Sequence, residues 1–367
     1  MTTRIWRGVW GAALLALVLA GPARAQEDAG WGSGPATGRT ESSEQLRETA
    51  QLVVSERLRT YALAHGLASG GPDLGTALDL KTLLERQGFY LEGKGFHRID
   101  AAQALYPTLS YVPNFNGGAP QDKLTLAGLT FTLREDLRAR DAWAAGLGYD
   151  GLVRFGWSEG RYIEMRGQVA GMRALSEDMT QRRGRVSVCS RNHVAGWTFV
   201  DGCLVHAENH RVLSDVTQDL VELSASHLFE RGQTRHELGA ALLRAWQEDR
   251  RRDMVELTLD SVWRRDATRL TFDVTTPAED EDGLALGLSG DIRWRIAGRV
   301  AGVGLSVSRS ARTWFLGQER IDRGIGVSGL LQISRDLSMT VALSRIDSSV
   351  DFFDDRQLAV NFSYQFP

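Results

Sequence analysis

The amino-acid sequence predicts an all-β protein: a transmembrane antiparallel β-barrel of about 14 strands, preceded by a short α-helical region. Three observations support this prediction. Large apolar residues alternate with small or polar ones through most of the last two-thirds of the chain, the segments between these stretches alternate between short and long, and the chain begins with an export signal. Alternation gives a strand two different faces, as a barrel between lipid and a wet lumen requires.

The start of the chain has the composition of a secretory signal peptide. Arg4 and Arg7 precede an apolar run from Trp10 to Ala20, and Ala23-Arg24-Ala25 has the A-x-A form of a cleavage site. A retained membrane helix is the alternative, but the run is shorter than the roughly 20 residues that a bilayer requires. We therefore expect residues 1–25 to be a signal peptide and the mature chain to be exported.

The exported chain divides into three parts. Residues 26–42 are rich in Gly, Ser, Asp and Glu and lack periodicity, which predicts a flexible linker. Residues 43–103 are predicted as a small helical periplasmic region, and residues 104–367 as the barrel.

Two short helices are expected in the periplasmic region. Ser42 and Gln45 offer a capping box for a helix to about residue 65. After a Gly/Pro break, a second helix is expected over residues 77–87. Such a unit plugs the lumen, docks a partner or forms an ordered leader, and the sequence leaves all three open.

The C-terminal strand has the clearest alternation, from Leu358 onward. Phe362, Tyr364 and Phe366 are predicted to face lipid, with Phe366 at the periplasmic interface as a membrane-insertion signal. We expect this strand to close the barrel against a first spanning strand near Leu124.

Loop lengths predict the orientation of the barrel. Short turns are expected at residues 158–160, 192–196, 231–233, 265–267, 297–299 and 335–336. Longer, charged loops are expected at residues 134–141, 174–184, 208–215, 247–253, 277–282, 310–323 and 347–356. Outer-membrane barrels have short periplasmic turns and longer external loops, which places the C-terminus in the periplasm. Residues 105–114 also alternate but would make an odd extra strand, so they are assigned to a lead-in or lumen segment.

Charged residues within the alternating stretches identify the inward face, because a charge that faces lipid is costly. The residues predicted to face the lumen are Asp150, Arg154, Arg166, Asp273, Asp291, Arg293 and Arg295. They carry both signs, which argues against strong ion selectivity and favours a plugged or gated lumen with internal ion pairs.

The sequence contains two cysteines, Cys189 and Cys203, and an exported protein meets an oxidising environment. They flank a turn near Gly196, so pairing in register places them opposite each other, with Arg191 opposite Asp201. The sequence predicts a structural disulfide across neighbouring strands. Two free thiols are the alternative, and a metal site would need more ligands.

Asn114 and Asn116 lie in the run Pro113-Asn-Phe-Asn-Gly-Gly, whose side chains can hydrogen-bond their own backbone in a turn. An entry strand that ends in Asn-x-Asn, after a helical leader and before about 14 strands, resembles the surface lipoprotein assembly modifiers, which translocate lipoproteins to the bacterial surface. The helical-repeat domain of that family is missing here or reduced to two helices. The resemblance implies a lipoprotein as cargo.

Several histidines suggest enzymatic chemistry, among them His206, His210 and His227, the last near Ser224 and Ser226. A hydrolase requires a nucleophile, a base and an orienting group within reach of one another, which one strand cannot establish. No catalytic residue, metal site or cofactor is therefore predicted.

A net charge of −3 and the lack of a large basic block argue against binding to nucleic acid. The predicted partners are outer-membrane lipid, the barrel-assembly machinery, and a lipoprotein or small-solute cargo. We expect transport or translocation of a solute, a peptide or a surface lipoprotein across the outer membrane. The alternatives are an outer-membrane hydrolase and a structural or adhesive barrel that binds through its surface loops.

Overall fold

The computed structural model describes residues 43–70, 73–91, 95–126, 129–248 and 250–364. The predicted signal peptide and linker, the cap at Ser42, and Phe366 lie outside these residues. The described chain forms a closed barrel of 14 antiparallel strands with a few helices before it, which confirms the predicted fold class.

The strands, in chain order, are β1 (His97–Val112), β2 (Lys123–Leu126), β3 (Leu129–Thr132), β4 (Ala142–Ser158), β5 (Arg161–Ala174), β6 (Thr180–Ala195), β7 (Thr198–His210), β8 (Asp215–Arg231), β9 (Thr234–Gln247), β10 (Arg250–Val262), β11 (Asp266–Thr275), β12 (Glu281–Asp282), β13 (Ala285–Ile296), β14 (Arg299–Arg309), β15 (Arg312–Phe315), β16 (Gln318–Arg320), β17 (Asp322–Gln332), β18 (Leu337–Ser348) and β19 (Asp355–Tyr364). Two small sheets lie in the long loops, one formed by β2 and β3 and the other by β12, β15 and β16. The remaining strands form the barrel, and each pairs with its neighbours in the antiparallel sense.

The barrel closes between β1 and β19, where Leu109 lies opposite Phe362. The prediction that the last strand pairs with a strand near Leu124 is wrong, because Leu124 belongs to the loop strand β2. The residues assigned to a lead-in segment instead form the first barrel strand. This strand begins at His97, ahead of the predicted boundary at residue 104.

The prediction leaves β1 out of the barrel because it would make an odd strand once the segment near Leu124 is counted. The strand also contains an unusual residue, Pro107. A proline inside a strand has no amide hydrogen for the ladder and usually argues against a strand in the middle of a sheet. Here the register between β1 and β19 begins only at Thr108, one residue after the proline. The other edge of β1 pairs with β4 along almost its whole length.

The helices before the barrel are α1 (Ser43–Ala50), α2 (Glu56–Gly70) and α3 (Leu74–Arg86). The helix predicted to run to about residue 65 is divided in two, because the Ser55 hydroxyl accepts a hydrogen bond from the Leu58 amide at 3.2 Å and starts α2. Asp73 caps α3 in the same way, accepting from the Thr76 amide at 2.9 Å. No helix in the described part of the chain is long and apolar enough to cross a membrane.

The helices lie inside the barrel, at the end that carries the short turns. Leu58 of α2 is fully buried, in a cluster with the wall residues Phe199, Leu228 and Val262. Thr49 of α1 donates a hydrogen bond to the carbonyl of Arg264, in the turn between β10 and β11, at 3.2 Å. The helices therefore occupy the lumen at this end, a position that fits the first of the three roles that the sequence left open. The plug is defined here as α1, α2 and α3.

Contacts with the plug identify the inward face of every barrel strand. Phe199 of β7 and Val262 of β10 touch the plug, and residues directly opposite each other across an antiparallel pair share a face. The outward face then carries exposed aliphatic side chains, among them Leu147, Leu204, Leu242, Leu288, Leu305 and Leu343.

Exposed tryptophans lie near both ends of the strands: Trp143 and Trp246 at the long-loop end, Trp157 and Trp263 at the short-turn end. An apolar band between two aromatic girdles is the exterior of a barrel that crosses a membrane.

Candidate functional site: the barrel interior

The strand register places every residue that was predicted to face the lumen on the inward face. These are Asp150 and Arg154 on β4, Arg166 on β5, Asp273 on β11, and Asp291, Arg293 and Arg295 on β13. Two ion pairs form among them. Arg166 donates to Asp150 at 2.5 Å, and Arg293 donates to Asp291 at 2.9 Å.

Arg154 connects the wall to the plug. Its guanidinium lies 2.7 Å from a carboxylate oxygen of Glu164 on β5 and 2.7 Å from one of Glu56 on α2. The side chain is only 7% exposed. A buried guanidinium is stable only when its charge and its hydrogen-bond donors are matched, and these two carboxylates match it.

A second contact of this kind lies on β7. Arg57 of α2 donates two hydrogen bonds to Asp201, at 2.8 and 2.7 Å. Arg191 of β6 donates to the same carboxylate at 3.0 Å and to Glu164 at 3.1 Å. Glu56, Arg154, Glu164, Arg191, Asp201 and Arg57 therefore form one continuous charged network, which begins and ends on the plug.

On the opposite side of the barrel, the plug is held by Arg295 of β13. This side chain donates to the Gln51 side chain at 2.7 Å and to the Gly298 carbonyl at 3.0 Å. Ser55 donates to Glu237 of β9. Polar contacts on several well-separated strands therefore hold the plug in place.

The turn between α1 and α2 is stiffened by Arg59. It donates to the backbone carbonyls of Ala50, at 3.2 Å, and Val53, at 3.1 Å. Burial in the plug lowers the pKa of the Arg59 guanidinium, and Glu56 opposes that shift. Burial also raises the pKa of the Tyr61 phenol, whose ring packs edge-on against Trp197 of the wall with centroids 4.8 Å apart.

Beyond the plug, the lumen wall has two sides. Inward residues that make no ion pair with any described residue include Arg183 and Arg185 on β6, Glu222 on β8, Glu256 on β10, Asp273 on β11 and Asp355 on β19. The basic strand β6 is separated from the acidic strand β11 by β7 to β10. Inward residues on β14, β17, β18 and β19 are small or polar, among them Gly302, Gly304, Ser306, Gly326, Ser328, Thr340, Ala342, Ala359 and Asn361. One side of the lumen wall therefore carries most of these unpaired charges. The other side carries mostly small side chains, which leave room in the lumen beside them.

The disulfide between Cys189 and Cys203 is present, as predicted. The two residues lie directly opposite each other on β6 and β7, and Arg191 lies opposite Asp201, in the predicted register. The bridge is buried on the inward face beside the network that holds the plug.

The long loop between β1 and β4 folds back into the other mouth of the barrel. Phe115 is 0% exposed and packs against Ala142, Ala144, Met172 and Ala174 of the wall. Asn116 anchors the loop: its side-chain oxygen accepts from the Arg140 amide at 2.8 Å, and its side-chain nitrogen donates to the Arg138 carbonyl at 2.7 Å.

Asn114 completes this arrangement by donating to the Gly118 carbonyl at 2.9 Å. The Asn-x-Asn run therefore has a local structural role in shaping the loop. Farther around the mouth, Phe315, Phe352 and Phe353 pack together and join the three long loops that precede β4, β17 and β19.

The histidines are not arranged around a serine. His227 points outward and shares a hydrogen bond of 2.9 Å with Thr198, whereas Ser224 and Ser226 point inward. His206 and His210 also point outward, where they contact Asp219 at 2.8 Å and Asp215 at 3.2 Å. Within the described ranges, no group of three or more His, Cys, Asp or Glu side chains could hold a metal ion.

The predicted insertion residues lie on the last strand. Phe362 faces outward, opposite Leu109 of β1 and Met339 of β18. Tyr364 has the same orientation, opposite Leu337.

No family model matches the chain, and no curated protein matches it. Solved structures with a similar fold include the outer membrane protein opdK from Pseudomonas aeruginosa, with 10% identity, 73% of this chain and 99% of that chain covered, and a TM-score of 0.40. A BenF-like porin from Pseudomonas fluorescens Pf-5 is 8% identical over 73% of this chain and 98% of its own, with a TM-score of 0.40. OccAB4 from Acinetobacter baumannii is 6% identical over 74% of this chain and 99% of its own, with a TM-score of 0.42. The comparisons do not support the resemblance to surface lipoprotein assembly modifiers.

Proposed function

We propose that this chain forms a gated channel for small polar solutes in the outer membrane. Its apolar exterior and aromatic girdles suit a bilayer, and short turns at one end with long loops at the other are typical of outer-membrane barrels. In that orientation the plug and the C-terminal end of β19 lie on the periplasmic side.

The observation that carries the proposal is the position of the plug, inside the lumen and held largely by side chains. The network from Arg154 to Arg57 and the contacts of Arg295 attach it to the wall by ion pairs and hydrogen bonds, alongside the apolar cluster around Leu58. Ion pairs and hydrogen bonds exchange readily for contacts with water when a segment moves. The plug is therefore suited to act as a displaceable gate.

The charges on the lumen wall supply the second argument. Arg183 and Arg185 on β6, and Glu222, Glu256 and Asp273 on β8, β10 and β11, point into the lumen with no ion pair to a described residue. Inward charges of both signs offer transient partners to a passing solute and weaken any preference for one sign of ion. A structural or adhesive barrel has no need of them.

A lipoprotein as cargo fits this interior less well than a small solute. The plug fills the periplasmic end, and the loop that carries Phe115 narrows the other end. A folded or lipidated protein would have to displace both, whereas a small solute needs only the plug to move.

Conductance and reversal potential in planar bilayers test the proposal. We expect the purified protein to conduct with weak ion selectivity, and R183Q/R185Q to shift the reversal potential in a salt gradient towards cation preference. The matched control is R173Q/R182Q, which removes the same charge from outward-facing positions on β5 and β6 and should leave the reversal potential unchanged. The absence of conductance from all of these proteins would contradict the proposal.

A further inference from the structure

A row of arginines crosses the outward face of neighbouring strands at the long-loop end of the barrel. Its members are Arg309 on β14, Arg323 on β17, Arg345 on β18 and Arg356 on β19, and all of them are exposed. The row, called here the arginine row, plays no part in the lumen, because every member faces away from it.

Like charges oppose one another within the arginine row. Arg309 lies directly opposite Arg323, and Arg345 lies directly opposite Arg356. One carboxylate is present, that of Asp347, which lies opposite Arg323 on the other edge of β17 and contacts Arg345 at 2.6 Å. Arg309, Arg323 and Arg356 form no ion pair with any described residue. Opposed like charges destabilise a sheet, so the arginine row needs anions from outside the chain.

An aliphatic row lies directly beneath the arginine row. Val307, Ile325, Leu343 and Leu358 occupy the next outward positions towards the middle of the same strands, with side chains 43 to 55% exposed. A cationic row above an aliphatic row matches a lipid headgroup above its acyl chains. The chemistry therefore fits an anionic lipid lying against the barrel.

Elsewhere at the long-loop end of the barrel, the outward charged residues are mostly acidic, histidine or paired. On β7 and β8 the outward residues at the same end are His206, Glu208, His210, Asp215 and Asp219, which contact one another. Arg244 of β9 is neutralised by Asp253 at 2.6 Å. Arg182 of β6 and Arg251 of β10 also lack an ion pair with a described residue, but neither lies opposite another arginine. Directly opposed outward arginines are thus found on the side of the barrel that runs from β14 to β19.

We propose that the arginine row binds a glycolipid with two phosphate groups in the external leaflet, one phosphate at each arginine pair. Strands are about 4.8 Å apart, so a row across four of them is about 14 Å long and exceeds the reach of a single phosphate. Guanidinium groups bind phosphate oxygens through paired hydrogen bonds. The inference rests on the orientation given under the proposed function but not on conductance, so a barrel that conducts nothing can still pass its test.

Binding of bisphosphorylated lipid A to the purified full-length protein in detergent, followed by native mass spectrometry, tests the proposal. We expect R309Q/R323Q/R345Q/R356Q to weaken binding about tenfold or more. The control R173Q/R182Q/R244Q/R251Q removes the same charge from outward positions on the other side of the rim and should bind like the wild type. Equal weakening in both quadruple variants, or none in the first, would overturn the proposal.

Two further measurements keep the test decisive if the first quadruple variant does not fold. Replacement of the same residues by lysine preserves the charge and should retain most of the binding. The pair variants R309Q/R323Q and R345Q/R356Q should each bind the bisphosphorylated and monophosphorylated lipids equally well, because one phosphate has lost its partner. Wild-type affinity in both pair variants, wild-type binding of a phosphate-free lipid, or full displacement by inorganic phosphate would refute a lipid site.

Discussion

Arg57 of α2 and Asp201 of β7 form a bidentate ion pair inside the barrel, with nitrogen–oxygen distances of 2.8 and 2.7 Å. The Asp201 side chain is 6% exposed, and Arg191 is its other partner at 3.0 Å. A buried ion pair stabilises the fold only while both partners are present, because removal of one partner leaves the other as an uncompensated buried charge. Removal of either partner is therefore expected to perturb the position of the plug.

Removal of the Arg57 side chain should loosen the plug. We expect Arg57→Ala to weaken the docking of the plug by up to about 3 kcal/mol, since Asp201 keeps one partner. Trypsin added to the detergent-solubilised protein should then cleave residues 43–91 faster, while the barrel stays resistant. Arg47→Ala is the control, because Arg47 pairs with Asp79 within the plug and both are half-exposed. Identical cleavage rates for the two variants would show that the ion pair does not hold the plug.

The disulfide should stabilise the barrel without taking part in conduction. Replacement of Cys189 and Cys203 by serine should lower the free energy of unfolding by about 3 kcal/mol, as expected for a short closed loop. Denaturant titration measures this loss, and conductance should be unchanged. Two free thiols in non-reducing mass spectrometry of the envelope-purified protein would contradict the bridge.

The last strand offers a test of the two faces at adjacent positions. Phe362 faces outward, whereas Asn361 faces inward and accepts a hydrogen bond from Ser110 at 2.5 Å. We expect Phe362→Asp to cost up to about 2 kcal/mol of membrane insertion and Asn361→Asp to be tolerated, because a carboxylate still accepts the bond. Heat-modifiability on a gel measures the folded fraction. A similar loss in both variants would mean that the faces are misassigned.

The loop between β1 and β4 depends on a close approach at Gly118. A Cβ atom at this position would lie 2.3 Å from the Arg138 carbonyl oxygen, so Gly118→Ala should force the loop out of the mouth. We expect external protease to cleave residues 113–141 more rapidly in proteoliposomes. Gly184→Ala serves as the control, since a Cβ there meets nothing within 4 Å. Unchanged cleavage in Gly118→Ala would show that the loop is not held by this approach.

Alternation and loop length predict the barrel well because a strand with one face towards lipid must place an apolar residue at every second position. The register of Cys189 with Cys203 follows from a short turn for the same reason. The strand β1 alternates visibly from Leu105, but the prediction excludes it because the segment near Leu124, which forms the loop strand β2, is counted as the first spanning strand.

The site is less predictable than the fold. Inward charges such as Arg154 can be recognised on a strand, but their partners cannot, because Glu56 lies far away in sequence on a helix. At Ser55, where the first helix is divided, the hydroxyl likewise donates to Glu237 of the wall as well as capping α2. Contacts between the plug and the wall arise only when the barrel has closed around the helices.

Single-channel conductance of a variant with a released plug tests the central claim most directly. The account predicts that E56Q/R57A, which breaks both ends of the charged network, increases the open fraction by about tenfold or more, while Arg47→Ala leaves it at the wild-type value. The same open fraction in the wild type and in E56Q/R57A would contradict a lumen that is gated by α1, α2 and α3.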